Sequence, residues 1–132
     1  MKSHKTELRV RYEETDRMGV VYYAKYLIWF EVARTELFHK LGLPYTQLEA
    51  QGVRLMVASA ACNYKAPATY DDLVTVETEI SEVKNTSLAF TYKVSRGETL
   101  LATGSTTHVF TDTRGKPMRI PGKVKEVLTV SS

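Results

Sequence analysis

In the stretch YEETDRMGVVYYAKYL, residues 12–27, a single carboxylate stands immediately ahead of a segment built for burial. Asp16 precedes Gly19 by three residues, and Val20, Val21, Tyr22, Tyr23 and Tyr26 follow at once. The spacing predicts a helix that begins near Tyr22. No Ser, Thr, Asp or Asn occupies positions 19–23, where the cap of such a helix normally stands. Its first N–H groups would point outward without partners, ready for a carbonyl oxygen or an anion. A carboxylate on the preceding loop and free amides at a helix start are two halves of an acyl-transfer site. The amides hold an oxyanion, and the carboxylate attacks or activates water. The same residues have a plainer reading, in which Thr15 or Asp16 caps a helix that starts earlier. Local pattern leaves the two even.

Other chemistries find little support. His4, His39 and His108 are too widely spaced for a local metal motif, and Cys62 is the only cysteine, so no metal site is expected. His39 reads as a helix-end residue, His108 as a packed strand residue and Cys62 as a small buried hydrophobe. There is no G-x-S-x-G, phosphate loop or dinucleotide fingerprint, and Ser59 and Ser105 have no evident base. No cofactor is expected. The net charge is +3, with Arg114, Lys116, Arg119, Lys123 and Lys125 gathered toward the end. Such a tail could attract a polyanion, although a solvated tail is the plainer reading, and no nucleic-acid motif accompanies it.

The elements that must position Asp16 are legible in outline. At 132 residues, 43% hydrophobic and 25% charged, the chain reads as one globular domain, 1–132. The run Val20–Phe30 is too short for a membrane span and no secretory signal is visible, so a cytoplasmic protein is expected. Residues 6–14 read as a first strand. From Tyr22 to Leu41 the pattern is helical, with Tyr26, Phe30, Ala33, Leu37 and Leu41 on one stripe and Lys25, Glu36 and Lys40 opposite. The first half is apolar nearly all round, as in a helix buried on more than one side. A short helix over Tyr45–Ala50 follows, then strands over 53–65, 74–81, 88–95 and Leu100–Thr111. Short turns between strands imply an antiparallel meander with one helix across its concave face, an α+β layout.

The segment VRYEETDRMGVVYYAKYLIWFEVARTELFHKLGLP resembles the N-terminal signature of hotdog-fold acyl-CoA thioesterases of the 4-hydroxybenzoyl-CoA thioesterase type, including the branch associated with the Tol–Pal system. NYKAPATYDDLVTVETEI and TSLAFTYKV extend the resemblance over most of the chain. It implies the hotdog fold, an antiparallel curved sheet around one long central helix, and hydrolysis of an acyl-CoA thioester. By this resemblance Asp16 is the catalytic aspartate, as nucleophile or general base, and the backbone N–H of Tyr23 is the oxyanion donor. Gly19 permits close approach to substrate, and Tyr22, Tyr23 and Tyr26 line the acyl pocket. Glu31 faces the acyl group or a water, unless it pairs with Arg34 along the helix. Tyr23 stands where the Tol–Pal-associated branch often carries His, which bears on the acyl group rather than on the backbone donor. Lys65, Arg96 and the basic tail are the candidates for the phosphates of CoA. The expected partners are acyl-CoA, with acyl carrier protein as a further candidate, and a second copy of the chain. The assembly is a homodimer or homotetramer with Asp16 near the neighbour's 55–66 strand. A non-catalytic acyl-CoA or acyl-carrier-protein binding domain is the alternative. A dehydratase is disfavoured because no histidine lies near the opening motif.

Overall fold

The stripe of Tyr26, Phe30, Ala33 and Leu37 becomes the buried face of helix α1, Lys25–Lys40, in a computed structural model that describes residues 2–129 of the chain. The helix is capped by Leu41, ahead of Gly42 and Pro44, and a short helix α2 spans Tyr45–Ala50. Five strands form one antiparallel sheet: β1 Ser3–Arg9, β2 Arg54–Tyr64, β3 Leu73–Val83, β4 Ser87–Arg96 and β5 Thr99–Thr111. A last helix, α3, spans Gly122–Thr129.

The spatial order is β1-β3-β4-β5-β2. This corrects the expected meander. Strands β3, β4 and β5 are joined by tight turns as anticipated, but β2 pairs with β5 at the far edge and β1 pairs with β3 at the other. Residues 65–72 therefore cross from one side of the sheet to the other. The first strand also ends sooner than expected. After Arg9 the chain leaves the sheet and makes one 3-10 turn, Tyr12–Glu14, because the Glu14 carboxylate is drawn inward to meet Trp29 Nε1 at 2.9 Å.

The core lies between α1 and the sheet. Val74, Val76 and Ile80 of β3 and Leu88, Phe90, Tyr92 and Val94 of β4 alternate inward and are buried, each such side chain contributing about 1.5–3 kcal/mol. Phe30 stacks flat on Tyr92 with ring centroids 4.2 Å apart. This approach needs Gly104, since a Cβ there would fall on the Phe30 ring and come within 2.8 Å of the Ala61 carbonyl oxygen.

The helix start departs from expectation. Tyr22, Tyr23, Leu27 and Ile28 are 43%, 62%, 40% and 47% exposed, so the all-round apolar half of α1 is covered on one side only. The facing strand β2 is exposed along most of its length, including Met56, Val57 and Tyr64. An apolar helix face and an apolar strand thus share one uncovered seam. The basic tail packs elsewhere: Ile120 N–H donates to the Asn85 carbonyl in the β3–β4 turn, and Lys125 Nζ reaches Asn85 Oδ1 at 3.0 Å. No helix among the described residues is long and apolar enough to cross a membrane.

Candidate active site

Residues 15–21 form a tight hairpin with Asp16 on its first arm. Thr15 bridges Val21, Asp16 N–H donates to the Val20 carbonyl at 2.8 Å, and Gly19 N–H donates to the Asp16 carbonyl at 3.1 Å. Gly19 has φ +81°, the left-handed region that a residue with a Cβ rarely adopts, which explains its place in the turn. The Asp16 side chain is exposed, and its Oδ1 accepts the Met18 N–H at 2.8 Å. Its Oδ2 makes no hydrogen bond among the described residues.

Helix α1 begins at Lys25, not near Tyr22, with Ala24 in the cap position and no side-chain cap. Neither Thr15 nor Asp16 caps it, so the carboxylate is held by its own turn and not by the helix. Around the helix start, Val21 N–H donates to Ala68, Tyr22 N–H to Glu14 and Lys25 N–H to Tyr22. The N–H groups of Tyr23 and Ala24 donate to no partner among the described residues. Amides without acceptors at the helix start follow from the missing cap, and Tyr23 N–H is one of the two.

Three contacts fix this arrangement, and none was read from the sequence. Glu14, 4% exposed, accepts from Arg11 N–H at 2.8 Å and from Trp29 Nε1, tying the hairpin to the first turns of α1. The crossing segment 65–72 braces the other arm: Val20 bridges Thr69, and Arg96 Nη1 binds Asp72 Oδ2 at 2.8 Å and the Pro67 carbonyl at 3.2 Å. The Thr69 N–H, with help from Arg96, holds the Asp72 carboxyl below its usual range. Finally, Tyr64 at the end of β2 donates its hydroxyl to the Tyr23 carbonyl at 2.8 Å. Partial desolvation, and then Cys62, push the Tyr64 phenol up to about 12. A tyrosine closing a β-rich run was the available signal, but its partner lies across the fold.

The other expected residues fall in three groups. Tyr22 and Tyr23 stand beside one another, ring centroids 4.7 Å apart, at the exposed helix start. The Tyr22 hydroxyl is raised above its ordinary value, first by Tyr23 and least by the nearby Asp16 charge. Tyr26 is 2% exposed between Trp29 and Tyr64, so within one protomer it is chiefly a core residue. Lys65 is exposed beside Tyr23 and Tyr64. Arg96 binds Asp72 and Pro67, and the tail reaches the β3–β4 turn through Ile120 and Lys125 at Asn85. Glu31 is exposed further along α1 and makes no ion pair with Arg34, which removes the intrahelical pairing expected as its alternative.

Cavities follow the α1–β2 seam. One of about 290 Å³ lies at the helix start between Tyr23, Tyr26, Tyr64 and Lys65. The next, about 250 Å³, is lined by Leu27, Ile28, Glu31, Arg34, Val57 and Ala60. The third, about 300 Å³, lies between Glu31, Arg34, Tyr45, Val57 and His108. The second and third share Glu31, Arg34 and Val57, while the first is lined by Tyr23 at the helix start.

A five-stranded curved sheet on one central helix is the hotdog form of the α+β class. The chain belongs to the thioesterase-like superfamily, whose sequence profile matches residues 10–128. It is 40% identical over 120 residues to an acyl-CoA thioesterase of Haemophilus influenzae, spanning 89% of this chain and 88% of that protein. Among solved structures, a hypothetical protein from Thermus thermophilus superposes with TM-score 0.92 at 36% identity, covering 96% of this chain and 95% of the other. A DHNA-CoA thioesterase from Staphylococcus aureus superposes with TM-score 0.86 at 36% identity, covering 90% and 81%.

Proposed function

We propose that this superfamily member hydrolyses acyl-CoA thioesters, with Asp16 as the reacting carboxylate and the Tyr23 N–H as the oxyanion donor. The observation that carries the reading is the pairing of an exposed carboxylate, oriented by Met18 N–H, with an unpartnered amide at an uncapped helix start. Superfamily membership and the acyl-CoA thioesterase name of the Haemophilus influenzae relative support it. The thioester carbonyl sits against Tyr23 N–H, where charge developing on oxygen meets a preformed donor. In one route Asp16 attacks the acyl carbon, the C–S bond breaks, and the CoA thiolate leaves and takes a proton. Water then cleaves the mixed anhydride, restoring the carboxylate and releasing the acid. In the other, Asp16 takes a proton from water as the water attacks. Single turnover in heavy-oxygen water separates the routes: label in Asp16 marks the anhydride.

Gly19, Tyr22, Tyr26 and Glu31 are assigned to substrate binding, with Lys65 as the cation for a CoA phosphate. The uncovered seam is closed by a second copy, in a dimer or a tetramer built from dimers. We place the enzyme in the cytoplasm, where the Cys62 thiol stays reduced.

Asp16→Asn tests the assignment. Asn can still accept the Met18 N–H, so the hairpin and the melting temperature are expected to hold. Hydrolysis, followed by thiol release from a panel of acyl-CoA and acyl-carrier-protein thioesters, is expected to fall by about 10²–10⁴-fold. A folded variant that keeps most of its turnover would reduce Asp16 to a turn residue.

A further inference from the structure

Arg34 is 9% exposed, and among the described residues no carboxylate comes within the 4.0 Å of an ion pair; the neutral hydroxyls of Tyr45 and Tyr92 are the polar groups beside its guanidinium. Beside it, the Tyr45 hydroxyl is fully shielded and makes no hydrogen bond of ordinary geometry. Both groups line the same cavity of about 300 Å³, and Arg34 also lines the adjoining one. A buried cation without a counter-charge is costly, and so is a buried hydroxyl without a partner. Guanidinium N–H groups only donate, and the phenol has a proton to give. Both donors line a space that no described residue fills.

We propose that this cavity is an anchor for the far end of the acyl group, and that the end it takes is a carboxylate. An ionised carboxylate accepts two parallel bonds from a guanidinium and has lone pairs left for the Tyr45 hydroxyl. The inference rests on the thioesterase reading for its direction: the thioester lies at Tyr23 and the chain runs along the seam. From its start at Lys25 to Arg34 the helix rises ~14 Å, and side chains lean back toward the N-terminus, so the acyl chain must span on the order of 10 Å. Leu27, Ile28, Val57 and Ala60 give that span an apolar lining. Two carboxylates also line these cavities: Glu49 is paired with Arg54 at 3.3 Å, and Glu31 stands exposed without a cation partner among the described residues. The substrate class is thus a medium-chain α,ω-dicarboxylic acid bound to CoA through one end.

The test compares CoA thioesters of linear dicarboxylic and monocarboxylic acids of equal chain length. The wild-type enzyme is expected to show a kcat/KM at least about tenfold higher for the carboxyl-ended substrate, a ratio worth ~1.4 kcal/mol. Arg34→Met is expected to bring the ratio to one or below, and Tyr45→Phe to narrow it. If Arg34→Met does not fold, the wild-type ratio and Tyr45→Phe decide. An equal or lower kcat/KM for the carboxyl-ended substrate in the wild type, or a preference that survives Arg34→Met, overturns the proposal. If the wild type hydrolyses neither thioester, the thioesterase reading falls by itself, and calorimetry with the free acids judges the anchor. Tighter dicarboxylate binding that is lost in Arg34→Met upholds it; equal binding of the two acids overturns it.

Discussion

At position 108 a histidine with 1% of its surface exposed places Nε2 2.9 Å from Thr106 Oγ1 and its ring edge-on to Phe90. Burial, and then the neighbouring Arg34 charge, push its pKa down to about 4 from an ordinary 6.5. Between those values the unfolded chain binds a proton that the folded protein refuses. Stability from this residue is therefore complete above about pH 6.5 and declines as pH falls toward 4. Thermal melts at pH 7 and pH 5 are expected to show a larger loss for the wild type than for His108→Gln; equal losses would mean that the ring takes its proton in the folded state. The sequence placed His108 correctly as a packed strand residue, because strand periodicity reports burial. It could not disclose the Arg34 environment, which arises where α1, α2 and β5 meet. Asp16, Gly19 and the missing cap were legible for the opposite reason: turns and helix starts are written in adjacent residues. Tyr64 and Glu14 were not, since each acts on a partner brought close only by the folded chain.

Among the elements, α1 owes its seat to the strand beneath it. Phe30 lies over Gly104, which pairs with Tyr92 on one side and Cys62 on the other. Adding a methyl group there pushes the helix off the sheet or turns the Phe30 ring out of its stack. Gly104→Ala is expected to cost about 1–3 kcal/mol in denaturant unfolding, the usual penalty for overpacking. It is also expected to lower hydrolysis, because the same helix presents the Tyr23 amide. An unchanged midpoint would mean that the Phe30 ring yields freely. The sequence showed the four later strands to within a residue or two and the long helix apart from its start, three residues later than expected, through clear periods of 3.6 and 2. It did not show the strand order. Alternation says which residues face inward but carries no label for the neighbour, so the placement of β2 beside β5 had to come from the structure.

For the molecule as a whole, the two sheet edges differ in kind. Strand β1 carries His4, Lys5, Glu7 and Arg9, charges that discourage a further strand from pairing. Strand β2 reads RLMVASAACNY, and after Arg54 it has no charge in its length. The β2 edge is therefore the one through which two copies are expected to join, each covering the other's seam. Light scattering at micromolar concentration is expected to give at least twice the 14.9 kDa of one chain, and a stable, fully active monomer would remove the assembly from the mechanism. That uncharged edge has a further consequence, in time rather than in space. A chain that has folded but not yet met its copy is adhesive toward any extended segment, including those of chains still unfolded. Recovery from denaturant then becomes a race between two encounters that both quicken with concentration, one productive and one not. A lysine introduced at Ala60 slows both, and the expected result is more soluble protein and less hydrolysis from the same refolding mixture.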